Sequence, residues 1–294
     1  MIYLLIVSLI WAFSFGLIKG TLTDLNPIFV SWVRLLLPFI LFLPFLRLKG
    51  ITKKLAIKLI LIGMVQYGFM YIAYNWSFQF LKAYEVALFT IFTPLYVTLF
   101  NNYIHKSYSK LILLTTLLAI IGTGIVVQSD LIQNNFLLGF IIVQISNICF
   151  AVGQIYYRDV MAQIKTVKDH QIFGLLYFGA ALITGLSTLL FTNWQSIAVT
   201  SKQVFALLYL GIIASGIAFF LWNYGARKVD IGALAIFNNL KIPLSIAVSL
   251  IVFQEKTNII NLLVGGSIVI AALFINEWGL GHNKQLQKTT TAPE

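Results

Sequence analysis

The sequence predicts an all-α integral membrane protein with ten transmembrane helices, arranged as two inverted five-helix repeats. Three observations carry that prediction. Apolar residues make up 60% of the 294 and charged residues only 10%. The mean hydropathy of +0.92 is far above that of soluble domains, whose cores have no room for so much hydrocarbon. Charged, Pro and Gly positions cut the apolar pattern into ten runs, most of them near the roughly 20 residues that an α-helix needs to cross a bilayer. The polar landmarks of the first half also recur in the second.

The runs lie near 2–20, 28–47, 56–80, 85–104, 110–128, 136–157, 171–192, 203–223, 231–252 and 259–279. The first has neither a basic stretch ahead of it nor a small-x-small cleavage site behind it, so it reads as a retained helix and not as a signal peptide. The second carries Arg34, and the third closes on Tyr71, Tyr74, Asn75 and Trp76. The fourth contains Pro94, and the fifth has Gly122 and Gly124. The sixth bears a polar stripe and is followed by the longest polar connection, 158–170. The eighth closes on the Trp222–Asn223 pair. The ninth holds Lys241 and Pro243, and the tenth has Gly265 and Gly266. The repeats are expected at 1–130 and 131–281, with a polar cytoplasmic tail over 282–294.

The net charge of +11 would suggest nucleic acid in a soluble protein. Here the bases fill short gaps between apolar runs and report topology instead. Arg47, Lys49, Lys53, Lys54, Lys58, Lys106, Lys110, Arg158, Lys165, Lys168, Arg227, Lys228, Lys284 and Lys288 fall on one face. Lys19, Lys82, Lys202 and Lys256 fall on the other, beside Asp24, Glu85, Asp130 and Glu255. Both termini are therefore expected in the cytoplasm. Cys149 is the only cysteine and the histidines His105, His170 and His282 lie in polar connections, so no disulfide, metal site or cofactor is expected.

The halves align at their polar positions. Trp11–Lys19 matches Phe150–Arg158, aromatic to aromatic and base to base; Asn75 matches Asn223, and Pro94 matches Pro243. Five helices per half is an odd number, so the second half enters from the opposite side and the repeat is inverted.

These residues, with Pro27, Arg34 and the Phe253-Gln-Glu255 stretch, resemble the EamA family of the drug/metabolite transporter superfamily along nearly the whole chain. The resemblance implies a ten-helix carrier of small metabolites such as amino acids or carboxylates. It also implies alternating access around a central cavity, often in the export direction, in a cell membrane such as the bacterial inner membrane. The chain departs from the pattern at Ala12, where Gly is common. It departs again at His105-Lys106, where the family shows an acid ending the fourth helix. The missing acid argues against a mechanism that needs matched carboxylates.

Polar side chains in hydrocarbon mark a partner or a cavity, because a Lys at a helix centre costs on the order of 2.5–3.5 kcal/mol to insert. Lys241 lies deep in the ninth run, and Asn238 and Ser245 share its helix face. It reads as an anchor for a substrate carboxylate or as a structural Lys tied to neighbouring carbonyls. In the sixth run Gln144, Asn147, Gln154 and Arg158 form one stripe. Asn147 and Gln154 read as cavity residues and Arg158 as the membrane boundary. Tyr71 and Asn75 suit either a pocket for an amphiphilic solute or an aromatic belt, and Trp11 with Phe15 makes a comparable stripe in the first run. Trp222 and Asn223 mirror Asn75 and read as gate residues. Arg34 reads as a substrate contact or as half of an ion pair with Glu85 or Asp24.

No Asp or Glu falls deep in a run, since Glu85, Asp230 and Glu255 sit near helix ends. Facilitated transport, exchange or coupling through Lys241 therefore stands beside carboxylate-based proton antiport. A membrane-embedded enzyme would need clustered His, Asp, Cys or Ser at one interface, and the carboxylates are scattered. A structural membrane subunit would not require the polar stripes. The expected partners are a small-molecule substrate and the lipid bilayer. The glycine pairs permit close packing within one chain or in a homodimer.

Overall fold

The computed structural model describes residues 2–104, 110–126, 135–164, 168–226, 231–268, 270–272 and 274–275. His105, Lys106, Asp130, Lys165, Arg227, Lys228, Asp230 and the tail from His282 lie outside the described residues, as does the expected repeat boundary. Among the described residues six helical spans are long and apolar enough to cross a membrane: Ile2–Thr21, Pro27–Phe45, Lys53–Ser77, Phe136–Gln163, Asp169–Phe191 and Ser201–Gly225. Shorter apolar helices run over Ala83–Val97, Leu240–Ile251 and Ile259–Ala272. The chain is a multi-pass, all-helical membrane protein among its described residues.

Helix α1 (Ile2–Thr21) leads to α2 (Pro27–Phe42) through Asn26, whose Oδ1 accepts from the backbone N–H of Ile28 and Phe29 at 2.9 and 3.3 Å. Pro27 at the first helical position wastes no donor. The third span is α3 (Lys53–Gly63), a π-helical segment Met64–Phe69 and α4 (Met70–Ser77).

The expected fourth helix, 85–104, is broken. It consists of α5 (Ala83–Phe89) and α6 (Phe92–Ile104), with Thr90 and Ile91 between them. Pro94 has no N–H to offer the helical carbonyl at Thr90, and the Thr90 carbonyl bonds instead to Thr93 N–H in a tight turn at 3.0 Å. Then come α7 (Lys110–Val126) and α8 (Phe136–Gln163). α8 runs past Arg158, so the long polar connection expected at 158–170 shrinks to the few residues before α9 (Asp169–Phe191). The next span is α10 (Ser201–Leu208), a second π-helical segment Tyr209–Ile217 and α11 (Ala218–Ala226). Finally α12 (Ile231–Ile251) runs unbroken through Pro243.

Helix α2 packs on α9 and on the second π segment, α1 on α12, α3 on α9, and α4 on α8. The α3–α9 contact is backbone to backbone. A Cβ on Gly63 would lie 1.9 Å from the Leu176 carbonyl oxygen, and one on Gly179 would lie 2.1 Å from that of Ile60. In lipid, where apolar surfaces gain nothing by hiding from one another, such small-residue contacts supply the packing. Gly124 and Gly266 meet nothing within 4 Å and take no part in it.

The stretch after α12 ties the ends of several helices together. Gln254 adopts a left-handed φ of 53°, which turns Phe253 and Glu255 apart. The Phe253 ring lies on Gly16 of α1, leaving no room there for a Cβ. Glu255 reaches α5, where Oε1 accepts from Ala83 N–H at 2.8 Å and Oε2 from Tyr84 N–H at 3.0 Å. Lys19 Nζ at the end of α1 donates to the Phe78 carbonyl at 2.7 Å. These are the orphan donors and acceptors of helix ends, satisfied across the fold.

Candidate functional site

One cavity gathers side chains from seven separate pieces of the chain. α1 gives Trp11, Ser14 and Phe15; α2 gives Arg34; α4 gives Met70, Tyr71 and Tyr74. The broken helix gives Thr90 and Thr93, α8 gives Ser146, Asn147 and Phe150, α11 gives Phe219, and α12 gives Lys241. The lining surrounds about 610 Å³ of empty space, its open mouth included. Helical spacing explains the groupings, since residues three and four apart share a face.

The second π segment organises one wall. Its turns are closed by bonds five residues apart, and side chains from two other helices donate to its carbonyls. Trp11 Nε1 donates to the Ala214 carbonyl at 2.9 Å, and Tyr177 Oη to the Ser215 carbonyl at 2.5 Å. Ser215 Oγ donates five residues back to Leu210 at 2.6 Å and lies 2.7 Å from Tyr71 Oη.

Arg34 sits in that network at 2% exposure. Its Nη1 donates to Asn75 Oδ1 at 2.9 Å, and Nη2 donates to Tyr71 Oη at 3.3 Å and to Ser215 Oγ at 3.4 Å. The guanidinium carbon stands 4.6 Å from the Tyr71 ring centroid. Asn75 is fixed in turn by donating to Ser31 Oγ and the Tyr71 carbonyl at 2.8 and 3.0 Å. The ion pair expected with Glu85 or Asp24 is not formed. Glu85 accepts from Lys82 N–H at the start of α5, and Asp24 is exposed. Both sit at helix ends, whereas Arg34 is a turn or more deeper and bonds to what lies at its own depth.

Lys241 is half-buried, with Nζ 5.3 Å from the Trp11 ring centroid. On its other flank Trp11 meets Phe219 at 4.9 Å and Trp222 at 5.2 Å between centroids. Trp222 thus backs the wall without lining the cavity. Phe15 lines it edge-on to Tyr74 at 5.8 Å.

The remaining expected residues divide. Asn147 borders the cavity but its amide is engaged: Nδ2 donates to the Phe89 carbonyl at 2.8 Å and to Gln144 Oε1 at 3.2 Å, while Oδ1 accepts from Thr93 Oγ1 at 3.0 Å. It bridges α8 to the break in the fourth helix. Gln154 is half-buried and is not among the lining residues. Asn223 bonds to Tyr67 Oη and the Phe219 carbonyl, away from the cavity. The Asn238 side chain lies outside the described residues. Sequence reasoning missed Ser14, Thr90, Thr93, Ser146, Phe150, Phe219 and Ser215. Pro94 was a signal for the threonines beside it. Nothing in the sequence distinguishes a π turn from an α turn.

A sequence profile described as the EamA-like transporter family matches the chain twice, over residues 1–128 and 137–277. The chain is 34% identical over 279 residues to a "Probable biotin transporter" of Pseudomonas aeruginosa, covering 94% of this chain and 97% of that one. It is 34% identical over 288 residues to a "Biotin transporter" of Escherichia coli strain K12, covering 97% and 96%. A "Probable amino-acid metabolite efflux pump" of the same strain is 23% identical over 303 residues, covering 96% of each. A solved crystal structure superposes with a TM-score of 0.66 at 15% identity over 93% of this chain and 95% of its own, so the fold is shared. With two profile matches spanning nearly its whole length, this chain belongs to the EamA-like transporter family.

Proposed function

We propose that the protein carries biotin, or a small acid built like it, across the membrane by alternating access to the cavity between two inverted five-helix halves. The observation that carries the reading is the cavity's lining. Aromatic rings suit the apolar faces of a bicyclic solute, two cations suit its carboxylate, and the lining holds no Asp or Glu among the described residues. The names of the two 34%-identical relatives point the same way.

Two features support the inverted repeat and ten crossings. The profile matches each half separately. The third helix of each half also carries a π segment at its middle, Met64–Phe69 in one and Tyr209–Ile217 in the other. A broken helix beside a cavity is a recurrent way for carriers to place backbone polar groups at a binding site. With both termini in the cytoplasm, the end that carries Lys19, Lys82 and Glu255 faces outward, closed by the Glu255 cap on α5.

Reconstituting the protein into liposomes and following radiolabelled biotin tests the reading. Saturable flux above protein-free liposomes is expected, and flux no greater than theirs would overturn it. Loading the label inside or outside separates export, which the family resemblance implies, from uptake.

A further inference from the structure

We propose that Arg34 is the charge-selective seat of this cavity, accepting a single carboxylate and turning away zwitterions. The inference rests on the reading that the cavity holds the transported solute.

Among the described residues all the hydrogen-bond partners of Arg34 are neutral, namely Asn75, Tyr71 and Ser215, and its buried Nε has none. Leaving a guanidinium out of water without an anion costs several kcal/mol, and a guanidinium cannot escape by deprotonating. The site is therefore incomplete until an anion arrives. A carboxylate matches the planar fork in shape and charge. The fork is already aimed. Asn75 holds it from the first half and Ser215 from the second, and the Tyr71 and Tyr74 rings stand 4.6 and 6.0 Å from its carbon. Such fixing means little reorganisation on binding.

The same lining disfavours an ammonium group. It offers no Asp or Glu, and Lys241 adds a second cation on the α12 side. Like charges sharing a cavity of low dielectric repel strongly. A free amino acid would gain at its carboxylate and lose at its ammonium, whereas a monocarboxylate with a neutral body only gains.

The experiment compares competitors that share one ring system. In proteoliposomes, a 50-fold excess of unlabelled biotin is expected to abolish labelled flux. Biotinamide, which is neutral, and biocytin, which is zwitterionic, are each expected to lower it less than about twofold. Arg34→Lys is expected to raise KM about tenfold, a loss near 1.4 kcal/mol, and Arg34→Gln to erase the preference for biotin over biotinamide. Competition by biotinamide or biocytin equal to that by biotin would overturn the proposal even if biotin is carried. A second measurement stands whether or not biotin is the substrate. Thermal unfolding of the wild-type protein in detergent with hexanoate, hexanamide or 6-aminohexanoate is expected to show stabilisation by hexanoate alone. Equal shifts, or none with hexanoate, would also overturn it.

Discussion

Trp11 and Ala214 are joined across the fold: the indole Nε1 donates to the Ala214 carbonyl, inside the π segment, at 2.9 Å. The bond fixes the ring on which Lys241 rests, so one irregular turn in the eighth helix sets the position of a cation carried by the ninth. Trp11→Phe keeps an aromatic face but loses the anchor. A neutral hydrogen bond contributes about 1 kcal/mol and a desolvated cation–π contact up to about 2 kcal/mol. Biotin flux should show a KM raised several-fold, with the unfolding temperature lowered by only a few degrees.

Lys241→Ala removes the second cation of the cavity. Flux at low biotin concentration should fall by an order of magnitude or more, the change expected for a lost charge-assisted contact of about 1.5–3 kcal/mol. Lys241→Arg should restore part of it. A variant that folds normally and carries biotin with wild-type kinetics would show that Lys241 serves packing alone.

Asn147→Leu is expected to act on stability before affinity. Its amide satisfies Phe89 at the break in the fourth helix and accepts from Thr93, and interhelical bonds of this kind in membranes are measured at about 0.6–2 kcal/mol. The variant should unfold at lower temperature or lower denaturant, with the KM of whatever folds changed less than by Trp11→Phe.

Glu255→Gln tests the outer closure. One carboxylate accepts two backbone N–H groups of α5, and an amide has a single oxygen to offer. The variant should open that end more often, seen as faster labelling of a cysteine introduced at Tyr84. Equal labelling in the variant and the otherwise wild-type protein would count against a gate.

Gly63→Ala and Gly124→Ala form a matched pair. The first forces a Cβ against the Leu176 carbonyl and the second meets nothing within 4 Å. Overpacking typically costs about 1–3 kcal/mol and more against backbone, so folded yield should collapse for the first and stay at the wild-type level for the second.

The residues that border the cavity were legible wherever a strongly polar or aromatic side chain interrupted an apolar run. Trp11, Phe15, Tyr71, Asn147 and Lys241 all announced themselves that way, because hydrocarbon makes every such residue costly unless it is used. Arg34 announced itself too, as did Tyr71 and Asn75, but their pairing did not. The sequence suggests acids for a base, whereas the fold supplies the neutral side chains of Tyr71, Asn75 and Ser215. Gln154 looked like a cavity residue because a stripe on one helix does not say which neighbour it meets.

Composition and charge pattern alone determined that this chain is a helical membrane protein. A backbone in hydrocarbon must satisfy its own hydrogen bonds, and a run of about 20 apolar residues does so only as a helix. Where the helices break or widen, and which polar groups then meet, was decided by the tertiary structure. The Ala214 carbonyl matters to the site only because Trp11, 203 positions away, is packed close enough to donate to it.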